Sequence, residues 1–194
     1  GVTAIAYDEK QVDGPIDSVE EKSELPTGQV GEILVRGKHV SPEYFLEPES
    51  TRKNKVPDPE GNWHRFGDTG YLDAQGRLWV CGRVSERVKA KGGNVFPLQV
   101  EPLFDAHPKV RRSALVKVSR PAGELAVLCV EVEPGVGKSE LPGLHRELLA
   151  LAADSAMANK IHAIVFKRRL PVDPRHNSKI ERRRLAKWAA RQLS

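Results

Sequence analysis

The sequence predicts an α+β protein in two parts, a β-rich segment over residues 1–83 followed by a small α+β domain over 84–194. Two observations carry that expectation. Up to Arg83 the apolar runs are short, alternate with period two and are bounded by Gly, Pro or Asp, as half-buried strands require. After Gly82-Arg83 two long stretches repeat their apolar residues at helical spacing, and apolar runs of strand length separate them.

Taken in order, Val2 to Tyr7 reads as a strand that Asp13-Gly14-Pro15 breaks, with polar loop continuing to Thr27. Gly31 to Gly37 is a second strand, Pro48 to Thr51 opens a charged connection, helical or irregular, and Pro57 to Gly61 is a turn. Tyr71 to Cys81 reads as a hairpin whose turn residue, Gly76, is free to take positive φ. Val95 to His107 suits a helix entered through Pro97, with Leu98, Val100, Leu103 and Phe104 on one face. Strands follow at Ser113 to Val118 and Leu125 to Val132. Ser139 to Ser155 is a helix with Leu141, Leu144, Leu148, Leu149 and Leu151 as its stripe. Ile161 to Phe166 is a further strand, and Ile180 to Leu193 a terminal amphipathic helix.

Composition excludes several classes. With 39% hydrophobic and 29% charged residues over 194 positions, the chain is an ordinary globular one. No apolar run approaches the length of a membrane span, and the first residues lack the basic start and cleavage site of a signal peptide, so a cytoplasmic protein is expected. Cys81 and Cys129 each lie within an apolar run and read as core thiols rather than as a disulfide or a metal site. The net charge of +5 is concentrated between Lys167 and Arg191, which points to anionic partners, either phosphate-bearing small molecules or nucleic acid. The chain opens with Gly in a strand-like run, which reads as part of a longer protein.

Four features carry candidate chemistry. Asp68, between Gly67 and Thr69-Gly70, stands on a bend; its carboxylate suits a vicinal diol, although a turn aspartate is the plainer reading. Arg83 ends the hairpin strand, where an arginine forks onto phosphate or carboxylate or simply caps a surface strand. Lys89, Lys91, Gly92 and Gly93 form a basic glycine turn. Lys179 falls where the last helix begins, a place the helix dipole makes unfavourable for a cation unless an anion lies between them.

The ordered series LPTGQVGEILVRG, WHRFGDTGYLDAQGRLWVCGR, VKAKGG and PVDPRHNSKIERRRL resembles the C-terminal portion of the adenylate-forming superfamily of acyl-CoA synthetases, luciferases and peptide-synthetase adenylation domains. The resemblance runs almost end to end. It implies that residues 1–83 are the last β-rich subdomain of a large N-terminal domain and that 84–194 form a small mobile domain. It further implies that Asp68 binds the ribose of ATP, that Arg83 reaches the ribose or a phosphate, and that Lys179 is the catalytic lysine of adenylation. Ser85 takes the hinge position. The turn bearing Lys89, Lys91, Gly92 and Gly93 then serves the second half-reaction, with Lys89 as its catalytic lysine, and His176 contacts the nucleotide or the leaving carboxyl oxygen. Mg²⁺ is expected with ATP, its ligands lying outside these residues.

Departures from the common pattern narrow the choice. Phe66 stands for threonine, Ser85 for a charged hinge residue, Gln99 for glutamate and Ser178 for glycine. WHRFGD, LWVCGR, AHPKV with LCVEVEPG, and RHNSKI together resemble the β-lactone synthetases of bacterial olefin biosynthesis. There a 2-alkyl-3-hydroxy fatty acid is activated by ATP and closed to a β-lactone, and the other enzymes of that pathway are the expected partners. A long-chain fatty acid–CoA ligase, with coenzyme A as cosubstrate, is the alternative. A nucleic-acid-binding module is a remote one, against which the interleaved prolines and 6% aromatic content argue.

Overall fold

The computed structural model describes residues 3–7, 18–19 and 24–193, with only the backbone at 176–178. Two compact units divide it, Gly1–Ser85 and Glu86–Ser194. The first contains β1 (Thr3–Tyr7), β2 (Gly31–Arg36), α1 (Pro48–Asn54), β3 (Lys55–Val56), β4 (Trp63–Leu72) and β5 (Leu78–Arg83). Its strands pair antiparallel in the order β1-β2-β4-β3, and β5 pairs with the other half of the long β4. The break at Asp13-Gly14-Pro15 falls outside the described residues.

The alternation in β1 and β2 buries Ile5, Tyr7 and Leu34, which join Val56 and Trp63 in a small core. Beside it Arg65 donates from Nε and Nη2 to the two carboxylate oxygens of buried Glu32, at 3.0 and 2.7 Å, and from Nη1 to the Lys53 carbonyl. This fork satisfies a charge that burial would otherwise penalise by several kcal/mol. In contrast, Phe45 and Leu46 are more than 80% exposed, and the consecutive Leu78, Trp79 and Val80 of β5 are all exposed.

In the second unit the order is β6 (Val88–Ala90), β7 (Gly93–Val95), α2 (Pro97–Asp105), β8 (Val110–Arg120), β9 (Gly123–Val132), α3 (Leu141–Ala153), β10 (Ala163–Phe166), β11 (Val172–Asp173), β12 (His176–Ile180) and α4 (Arg182–Gln192). A three-stranded sheet runs β10-β9-β8, with β10 parallel and β8 antiparallel to the central strand. Period-two alternation sorts β9 into two faces. Ala126, Leu128 and Val130 meet residues of α2 and α3, such as Phe104 and Leu148, while Val127 and Cys129 meet Leu185 and Ala189 of α4. Helices therefore cover both faces of one sheet.

This is the α+β class expected, with shifts at element ends. The strands of the long hairpin extend beyond their apolar centres, because ladder pairing continues from Arg112↔Glu131 to Arg120↔Gly123 whatever the side chains. A 3₁₀ turn at Lys138–Glu140 precedes α3, in which Leu144, Leu148 and Ala152 are buried and Leu149 is exposed. In α2 the expected stripe rotates. Leu98 is exposed, and Glu101 lies beside Val100 and Phe104 on the buried face. Both cysteines are free and buried, and burial pushes the thiols up to about 11 at Cys81 and about 12 at Cys129. Among the described residues no helix is long and apolar enough to cross a membrane.

The β4–β5 loop is tied by Asp73. Its carboxylate accepts Trp79 Nε1 at 2.8 Å, Arg77 Nε at 2.7 Å and the backbone N–H groups of Gln75 and Arg77, and Gly76 takes the positive φ expected of it. The Trp79 bond, followed by those of Arg77 and Gln75, holds the carboxyl down to about 2 against the opposing effect of desolvation. A depressed carboxyl contributes its stability above the unfolded value of about 3.9 and loses it as pH falls through the folded one. Carboxyl NMR should place the Asp73 midpoint near 2, with loop order lost between about pH 4 and that midpoint; Trp79→Phe should move the midpoint upward.

Candidate functional site

Asp68 and Arg83 face each other across the β4–β5 ladder. The sequence suggested a bend at Asp68; the structure instead puts it inside a ten-residue strand, on a bulge. Between the pairs Leu34↔Arg65 and Glu32↔Thr69, β4 uses more residues than β2, and Gly67 absorbs the excess at φ +70°. A side chain at 67 would be strained there, so glycine is needed for the backbone rather than for ligand access. The bulge turns Asp68 outward. Arg83 Nη1 donates to Asp68 Oδ1 at 2.7 Å and to the Phe66 carbonyl at 2.9 Å. Asp68 Oδ2 accepts from no other described residue, and its side chain is one-third exposed. One carboxylate oxygen is thus held by a guanidinium and the other is open to a hydroxyl donor.

Ser85 is exposed in a short 3₁₀ turn, Val84–Glu86, and the division between the two units falls immediately after it. Lys89, Lys91, Gly92 and Gly93 belong to the β6–β7 hairpin, where Lys91-Gly92 is the two-residue turn and both glycines have positive φ. Lys89 and Lys91 are exposed, while the Lys89 backbone N–H is anchored at 2.7 Å to Glu124. Among the described residues neither ammonium has a carboxylate partner within salt-bridge distance.

Lys179 requires a correction. It does not begin the last helix but lies in β12, three residues before Arg182, because β12 pairs with β11 through Val172↔Ile180 and the Glu181 N–H continues the pairing to Pro171 at 2.9 Å. The dipole argument for an anion beside it therefore lapses. What replaces it is geometry. Lys179 is exposed on a short two-stranded ribbon and lines a depression of about 730 Å³ with Glu86, Leu98, Asp105 and Arg111. Its charge helps, after the bonds from Arg175, to hold Asp173 below the usual carboxylate range. His176 pairs with Asp173 through the strand, and its side chain lies outside the described residues.

Beneath that ribbon is a network the sequence reading missed. Arg182 Nη1 and Nη2 donate to the two oxygens of Glu101, at 2.5 and 3.1 Å, and Nη1 also to the Leu115 carbonyl. Glu101 accepts the Leu115 N–H at 2.6 Å, and Arg182 Nε lies 3.2 Å from Glu86. Burial works against the Arg182 charge, but Glu101 and then Glu86 outweigh it and raise its pKa. The available signal was an acid on the apolar face of α2, a position a carboxylate keeps only with a partner. Among the described residues no group of three or more His, Cys, Asp or Glu side chains is placed to hold a metal ion.

The chain belongs to the adenylate-forming superfamily, matching its C-terminal portion. It is 43% identical over 173 residues to the olefin β-lactone synthetase of Xanthomonas campestris pv. campestris, and 39% over 186 residues to that of Stenotrophomonas maltophilia. These alignments take in 87% and 93% of the chain but only 31% and 33% of the relatives, so the chain spans about a third of their length. The structure of an ATP-bound RpMatB-BxBclM chimera superposes on 98% of the chain with a TM-score of 0.74 and 28% identity, over 35% of its own length. No family model matches.

Removing one partner of the Arg182–Glu101 pair should cost about 3–5 kcal/mol of unfolding free energy, since it strands a buried charge. Urea denaturation of Arg182→Met and Glu101→Leu should each show that loss, and the double variant should recover a good part of it. Additive losses would mean that the two groups are not coupled.

Proposed function

We propose that this chain forms the nucleotide-binding and mobile C-terminal part of an ATP-dependent enzyme that converts a 2-alkyl-3-hydroxy fatty acid to a β-lactone. The observation that carries the reading is the Asp68–Arg83 pair, with one carboxylate oxygen open, in a chain similar throughout to olefin β-lactone synthetases. Residues 1–83 are then the last subdomain of a larger N-terminal domain, and 84–194 the mobile one. The exposed strip of Leu78, Trp79 and Val80 and the exposed Phe45-Leu46 support this, since a small core with so much open apolar surface fits a piece covered by the rest of its own domain.

In the first half-reaction the substrate carboxylate attacks the α-phosphorus of ATP and pyrophosphate leaves, forming the acyl-adenylate. Asp68 Oδ2 accepts the ribose hydroxyls, Arg83 holds Asp68 in place and reaches toward the ribose or phosphate, and His176 lies beside the nucleotide. Lys179 bridges the carboxylate and the α-phosphate, where a preorganised ammonium lowers the barrier without reorganisation. Mg²⁺ accompanies ATP, and the described residues supply no cluster for it. Rotation about Ser85 then removes Lys179 and brings in the turn of Lys89, Lys91, Gly92 and Gly93. In the second half-reaction the 3-hydroxyl of the same molecule attacks the acyl carbon, its proton is released and AMP departs. Because that nucleophile is tethered, no acceptor thiol is needed.

Full-length protein given ATP and a 3-hydroxy fatty acid without coenzyme A should produce lactone and AMP. Product that forms only as a thioester, and only with coenzyme A, would favour the ligase alternative. Lys179→Ala should abolish acid-dependent pyrophosphate exchange while the unfolding midpoint stays unchanged, and retained exchange would remove Lys179 from the adenylation step.

A further inference from the structure

A groove on the second unit has no place in that chemistry. It lies between the strand-to-ribbon segment Lys167–Val172 and α4, with a volume of about 460 Å³. Pro171, Val172 and Trp188, all half-buried, form its apolar floor above the buried Leu170 and Leu185, and Lys167, Arg169, Arg184 and Arg191 stand around it. Only Arg184 has a carboxylate partner among the described residues, Glu181 at 3.3 Å. The walls are held before any ligand arrives. The Lys167 N–H bonds to the Val130 carbonyl at 2.9 Å, the Leu170 N–H to buried Glu131 at 2.7 Å, and the Glu181 N–H to Pro171 at 2.9 Å.

We infer that this groove docks an acidic, extended segment of a partner protein. Arg184, Trp188 and Arg191 follow one another at i, i+4 and i+7 along one face of α4, which separates the two arginines by roughly 10 Å. With Lys167 and Arg169 on the opposite wall, the groove offers more positive charge than one phosphate neutralises. An extended chain presents carboxylates on one side about every 7 Å, and its alternate side chains meet the apolar floor. The other anionic partners fit less well. A single nucleic-acid strand bound by stacking needs an open aromatic face, but Lys167 Nζ sits 4.4 Å over the Trp188 ring and the indole is otherwise packed against the α4 core. An anionic membrane would call for apolar side chains to insert beside the cations, and none of the exposed large hydrophobic residues lies between Lys167 and Arg191. The inference does not depend on the proposed reaction.

Fluorescence anisotropy with a labelled peptide alternating glutamate and leucine, titrated with the full-length protein, tests it. Saturable binding that weakens steeply with salt is expected, together with a loss of about tenfold or more in the Arg169→Glu/Arg191→Glu variant. Both arginines are exposed and have no carboxylate partner among the described residues, so unfolding midpoint and pyrophosphate exchange should be unaltered in that variant. Trp188→Phe should also weaken the peptide. Duplex and single-stranded DNA, phosphatidylglycerol vesicles and inorganic phosphate serve as competing probes. Absence of saturable binding, insensitivity to the charge reversal, or tighter capture of DNA, vesicles or free phosphate through the same residues would each overturn the assignment.

Discussion

Arg182 and Glu101 add a directional tie to parts of the second unit that otherwise meet through apolar packing. Glu101 leaves α2 on its apolar face, takes the Leu115 N–H from the edge strand β8, and receives the fork of Arg182 at the first turn of α4. Arg182 returns a bond to the Leu115 carbonyl and lies against Glu86, the residue after Ser85. Three positive side chains, Arg182 to Arg184, open α4, an arrangement the helix dipole opposes. The first of them escapes that cost because two carboxylates receive it. One pair thus joins the helix below the sheet edge, the helix across it and the segment that begins the unit.

That connection matters for Lys179. The ribbon of β11 and β12 is short, and a two-stranded ribbon alone is marginal in water. Its end is continuous with α4 through Glu181, whose N–H bonds back to Pro171, and the next residue is Arg182. In the role proposed for Lys179, an ammonium gains from being placed before the reaction, and that placement would be inherited from a buried ion pair three residues away. Glu86 extends the same network to the first residue of the unit, so the lysine ribbon and the chain entry are parts of one body.

Much of this could be read from the residues. The apolar alternation in Leu125 to Val132 marked the central strand, and the spacing of Leu144 and Leu148 marked the helix against it, because burial on one face imposes the period directly. The ordered motifs identified the superfamily. What escaped were features set by partners distant in the chain. Asp68 looked like a turn residue because two glycines flank it, whereas the extra length of β4 relative to β2 makes a bulge that no local pattern announces. Lys179 looked helical because the apolar period of α4 extends back to Ile180; Val172, eight positions earlier, claims Ile180 for a strand. Glu101 was invisible as a site because a helical-period reading counts apolar residues and passes over the one acid among them.

The two basic stretches of the second unit differ in what surrounds them, and that difference separates their roles. Lys179 stands beside a depression shared with Glu86 and Asp105, so its charge is set among carboxylates. The cations around Trp188 have a hydrophobic floor and almost no acids, which suits a ligand that brings several negative charges and apolar side chains of its own. Net charge counts both alike, although acids surround one and apolar side chains the other. Because α4 carries the groove on one face and begins at Arg182 beside the lysine ribbon, a segment seated against Arg184 and Arg191 would rest on the same helix that Glu101 anchors.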